Sequence, residues 1–147
     1  MNKRIVYTSP EGVLVIVIPS GEVPIESVIE KDVPVGCTAR VIDADEIPSD
    51  RSFRNAWCLK GKLIKHDMSK AREIHRDNIR AARTPLLIEL DIEMQKELEK
   101  QEPQVDNIVN KKQALRDATI NPAIEKARTI EQLKVTWDSS VLGPSPY

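Results

Sequence analysis

The chain has 147 residues and a formal net charge of -1, with 40% hydrophobic, 31% charged and only 3% aromatic residues. So few aromatics exclude a large aromatic core and leave Ile, Val and Leu to supply the burial. Near-neutrality excludes a whole-molecule field that would draw the protein onto nucleic acid or an anionic membrane.

No apolar run approaches the ~20 residues that span a bilayer. The first residues, Met1 to Arg4, lead into no signal-peptide core. The expectation is synthesis in the cytoplasm, where Cys37 and Cys58 remain two free thiols rather than a disulfide framework.

Ile5-Val6-Tyr7 and Val13 to Ile18 read as two strands joined by the turn cluster Thr8 to Gly12, a β-hairpin. The second strand is apolar at every position, which predicts cover on both faces, from this chain or from a partner. Pro24 opens a short helix through Ile25, Val28 and Ile29. Cys37 to Ile42 reads as a third strand. Ala56 to Leu59 and Leu63 to His66, flanking Lys60-Gly61-Lys62, predict a second hairpin.

Asp67 is a good N-cap. Beyond it Ala71, His75, Ile79, Ala82, Leu86, Leu90, Met94 and Leu98 recur every three or four residues, one face of a long helix. Pro85 predicts a kink in it. Glu102-Pro103-Gln104 is a turn, after which Val105 to Leu115 repeats the amphipathic pattern; a short loop makes the two helices antiparallel neighbours. Asn121-Pro122 starts a helical turn, and Thr129 with Gln132 fits a capping box for a last short helix. Gly143 to Tyr147 reads as a disordered tail. The fold expected is α+β: a small β-rich domain over residues 1–66, a helical hairpin region over 67–136 and a tail over 137–147.

Catalytic chemistry has no visible carrier. His66 and His75 are in no metal-ligand spacing, the glycines form no phosphate-cradling loop, and Asp43 and Asp45 sit in a polar turn. The expectation is a non-enzymatic protein with no catalytic residue, metal, cofactor or small-molecule substrate.

Two features remain. Lys70, Arg72, Arg76, Arg80 and Arg83 crowd the first half of the long helix, and Glu89, Asp91, Glu93, Glu97 and Glu99 the second. The helix dipole prefers the opposite order. Either the face is solvated and paired along the helix, or the stripe Arg72, Arg76 and Arg80 docks on acidic groups of a partner or of a second copy. The segment Phe53-Arg54-Asn55-Ala56-Trp57 holds the only Phe and one of two Trp residues. Its aromatics either seal the junction between the two halves or form an exposed anchor, since Trp and Arg are enriched at binding hot spots.

The order Pro48 to Trp57, His66 to Arg72, Ile74 to Arg83, Leu86 to Asp91 and Lys112 to Thr119 resembles small proteins encoded beside tail-fibre genes in tailed phages and prophages, described as tail fibre assembly proteins or tail assembly chaperones. The resemblance spans about residues 48 to 136, most strongly from Ile79 onward. It implies a protein that binds a tail fibre or other tail structural protein to assist its folding and assembly, in the host cytoplasm or retained in the virion tail. A structural component of the tail, fibre or baseplate, forming a homo-oligomer, is the alternative; a nucleic-acid-binding regulator ranks below both, because the basic stripe adjoins an acidic block.

Overall fold

A computed structural model describes residues 2–147. The architecture is α+β, small antiparallel sheets followed by a mostly helical region. It divides into two compact units, Met1–Ala71 and Arg72–Tyr147.

In the first unit, β1 (Lys3–Thr8) pairs antiparallel with β2 (Leu14–Val17) in the register Ile5↔Val17 and Tyr7↔Val15. The turn closes through Gly12 N donating to Ser9 O at 2.9 Å, and Gly12 takes a positive φ of 83°. Helix α1 (Ile25–Asp32) follows Pro24. Strand β3 (Arg40–Asp43) pairs antiparallel with β1, so the order is β2-β1-β3.

That order decides which strand is covered. Ile5, Val6 and Tyr7 of central β1 are buried, whereas Leu14–Val17 are half-buried and the flanking Val13 and Ile18 are 58% and 68% exposed. β2 is thus an edge strand of half-buried residues, and the described residues of the chain do not cover it completely by themselves.

Strands β4 (Trp57–Lys60) and β5 (Leu63–His66) form the second hairpin. Of its two turn residues only Gly61 has a positive φ, 63°, which is the demand of a type II′ turn. Asp67 then caps the long helix: its Oδ1 accepts from Ser69 N at 3.0 Å and from Lys70 N at 3.3 Å.

Helix α2 (Met68–Leu98) runs through Pro85 without a break. The proline lacks the N–H that would bond the preceding turn, and the Thr84 hydroxyl adds a bond to Arg80 O at 2.8 Å. In the second unit α2 and α3 (Asp106–Asp117) are an antiparallel hairpin, tied in succession by Glu97 Oε1 accepting from Gln104 N, by the Asp91–Lys112 ion pair and by Arg83 on Arg116 O. Three short helices follow. Asn121 Oδ1 caps α4 (Pro122–Lys126) through Ala123 N, and Asp138 Oδ1 caps α6 (Ser139–Leu142) through Ser140 N.

The cap of α5 (Ile130–Lys134) is Thr129, whose Oγ1 accepts from Gln132 N at 3.2 Å. The returning half of the motif differs from a standard capping box, since Gln132 Oε1 accepts from Arg128 N at 2.8 Å. Thr129→Ala should cost ~1 kcal/mol, the usual value for losing such a cap; equilibrium urea unfolding of the variant checks it. Ile79, Leu90, Ile108, Leu115, Ile124, Ile130, Leu133, Trp137 and Leu142 are buried aliphatic and aromatic residues around which these helices pack. No described helix is long and apolar enough to cross a membrane.

Candidate partner-binding surfaces

The arginine stripe of α2 is engaged within its own unit. Arg72 donates from Nη2 to Ala127 O, the carbonyl just past α4, at 2.8 Å. Arg76 donates from Nε to Thr119 O at 3.4 Å and forms an ion pair with Glu125. Arg83, outside the expected stripe, donates from Nη1 to Arg116 O at 3.2 Å, to Thr119 Oγ1 at 3.3 Å and to Leu115 O at 3.4 Å.

These carbonyls lie at the carboxyl ends of α3 and α4, where the last turn has no helical donors and carries partial negative charge. The early cations of α2, unfavourable to α2 itself, thus complete the helices packed against it. Arg80 differs from the other two. Its side chain is 44% exposed, and it pairs with Glu73 at 2.8 Å and Asp77 at 2.6 Å on its own helix. The stripe therefore splits: Arg72 and Arg76 hold the unit together, and Arg80 lies on a solvated, locally paired face.

Phe53 and Trp57 are buried, 0% and 3% exposed. Neither ring presents surface to a partner in the folded chain, which does not fit an exposed anchor. Cys37 and Cys58 are both free and half-buried.

The segment expected to be a disordered tail is docked. At Gly143 the backbone takes φ 82°, a conformation open to glycine without strain, and its carbonyl accepts from Trp137 Nε1 at 3.0 Å. The ring of Tyr147 stacks on His75 with centroids 5.7 Å apart and meets Trp137 edge-on. His75 is fully buried and both its ring nitrogens are partnered, Nδ1 with the Tyr147 hydroxyl at 2.6 Å and Nε2 with Thr136 Oγ1 at 2.8 Å.

The neighbours set the tautomer. Thr136 Oγ1 spends its proton on Leu133 O at 2.7 Å, so it accepts from an Nε2–H. Nδ1 then accepts from the Tyr147 hydroxyl, whose oxygen accepts from Asn78 Nδ2 at 3.1 Å. The imidazole is neutral: burial, with the Arg76 charge adding, holds its pKa down to about 4. Burial also raises the pKa of Tyr147, which keeps the donor protonated. Every polar atom in this chain of bonds serves packing, so the cluster reads as a structural lock.

The open surface lies on the first unit. Ser9 N donates to Val13 O at 2.8 Å, so Ser9 and Val13 are a hydrogen-bonded pair, and by alternation so are Tyr7 with Val15 and Ile5 with Val17. Leu14 and Ile16 consequently turn their N–H and C=O groups away from β1, where no other strand pairs with them among the described residues. From Val13 to Ile18 the edge carries no charged residue. The opposite edge, β3, begins with Arg40 and ends with Asp43, the latter paired to Lys3 at 2.7 Å. Edge strands are normally guarded by charges of that kind; β2 is not. Sequence reading marked this run as needing cover from the chain or from a partner but did not decide between them, because an apolar run fits a central strand and an edge strand alike.

Comparison with protein-family models, with curated proteins and with solved structures found no match for the chain.

Proposed function

We propose that this chain is a non-enzymatic phage tail protein that binds a tail fibre, or a related tail protein, and assists its folding and assembly. The motif order from Pro48 to Thr119 supports the phage assignment, and the open β2 edge is the observation that carries the binding role. Fibre chains rich in strand expose apolar edges until they trimerise, and such edges aggregate. An uncharged strand with free backbone donors and acceptors accepts one more strand in register, with alternate side chains setting the fit.

The test is co-expression with a phage tail fibre protein. We expect the two to co-elute, the soluble yield of fibre to rise, and amide exchange at Leu14 and Ile16 to slow in the complex. Failure to co-elute, with fibre solubility unchanged, overturns the reading. Unchanged exchange at Leu14 and Ile16 in a formed complex places the contact elsewhere. Recovery of the chain from purified particles at fixed stoichiometry would assign it instead to the tail structure.

A further inference from the structure

We propose that, when no client occupies it, β2 pairs antiparallel with β2 of a second copy, joining two three-stranded sheets into one of six strands about a two-fold axis. The inference rests on the open edge alone and not on the identity of the client.

A two-fold axis perpendicular to the sheet keeps each face on its own side, so residues opposite one another must have the same parity. The outward-facing residues of β2 are Leu14 and Ile16. The register that keeps both inside Leu14–Val17 sets Leu14 opposite Ile16 of the second copy, and the reverse. Each of these two pairs exchanges two backbone hydrogen bonds. Val15 then faces its own counterpart, and Val13 faces Val17.

Every cross-strand pair in this register is apolar on apolar, mostly β-branched, the kind of pair that stabilises sheets. The nearest acid, Glu11, falls opposite Pro19 of the other copy, so no like charges meet. Self-pairing thus meets no electrostatic penalty, and it sets the exposed Val13 against Val17 of the other copy. The contact is one short strand per copy, far below the ~1,200–2,000 Å² buried in a standard stable interface. The pair is therefore weak and reversible, and an incoming client strand displaces it.

The experiment is sedimentation velocity of the full chain over a concentration series, with Val15→Lys and Val15→Glu as separate variants and as an equimolar mixture. Circular dichroism first establishes that each variant is folded like the wild type. We expect the wild type to shift from monomer to dimer as concentration rises. Each single variant should stay monomeric, because identical charges face one another across the axis. The mixture should dimerise again, because lysine then faces glutamate. A wild type that is monomeric throughout overturns the proposal, as does a dimer that survives in both variants or a mixture that stays monomeric. The client reading is tested apart from this: monomeric wild type that still co-elutes with fibre removes only the self-pairing, and a dimer that never does so removes only the client.

Discussion

Replacing Arg72 by glutamate should destabilise the helical unit by ~1–3 kcal/mol, the range for leaving a buried hydrogen-bonding group without its partner. The side chain is half-buried, with Nη2 on Ala127 O at 2.8 Å and Nε shielded from solvent without an acceptor. A carboxylate at that place would be desolvated and would face a carbonyl at the end of α4, oxygen against oxygen. Arg80→Glu is the internal comparison. That side chain is 44% exposed and its partners are surface carboxylates, so water screens the pairs and their loss should shift the unfolding midpoint little. Urea unfolding followed by the helical circular dichroism signal, to which the second unit contributes most helix, measures both. An Arg72→Glu protein as stable as Arg80→Glu would show that the stripe is solvated along its whole length. Reversing all three arginines together is a poor test of partner binding, because the loss of Arg72 and Arg76 alone removes structure.

Acid should destabilise the same unit in a window set by His75. The imidazole titrates at about 4 in the folded protein against 6.5 when free. Between these values the unfolded chain holds a proton that the folded chain does not, so stability rises with pH. The contribution is complete above pH 6.5, where the ring is neutral in both states. It is lost as pH falls toward 4, by ~3 kcal/mol at one pKa unit per 1.36 kcal/mol. Protonation adds a hydrogen at Nδ1, where the Tyr147 hydroxyl already donates, so that hydroxyl must turn its own proton away and accept. Tyr147→Phe removes the donor and leaves a buried acceptor unpaired, so it should destabilise at neutral pH by ~1–3 kcal/mol. Proton NMR of the His75 ring checks the premise directly: titration near 6.5 in the folded protein would sink it.

Much of the fold is legible without coordinates because its signals are local. The β1–β2 hairpin, the β4–β5 hairpin around Gly61, the Asp67, Asn121 and Thr129 caps and the α2–α3 hairpin each depend on residues close together in the chain. Backbone conformation and capping energies act at that range, so composition and spacing suffice to place them. The α+β class follows from the same signals. Asp138 was a readable cap for α6 as well, but a short helix beside Gly143-Pro144 has too little periodicity to stand out from a tail.

What only the tertiary structure decided involves partners far apart in sequence. Arg72 finds its carbonyl 55 residues on, Arg76 finds Thr119 43 residues on, and His75 meets Tyr147 across 72. No local pattern encodes such contacts; an arginine stripe looks the same whether it faces water, a partner or a neighbouring helix end. The burial of Phe53 and Trp57 and the edge position of β2 have the same origin. An all-apolar strand satisfies the pattern for a central position and for an edge alike, and strand order is chosen by how the sheet as a whole buries its area. Here it buried β1 and left the Val13–Ile18 edge uncovered.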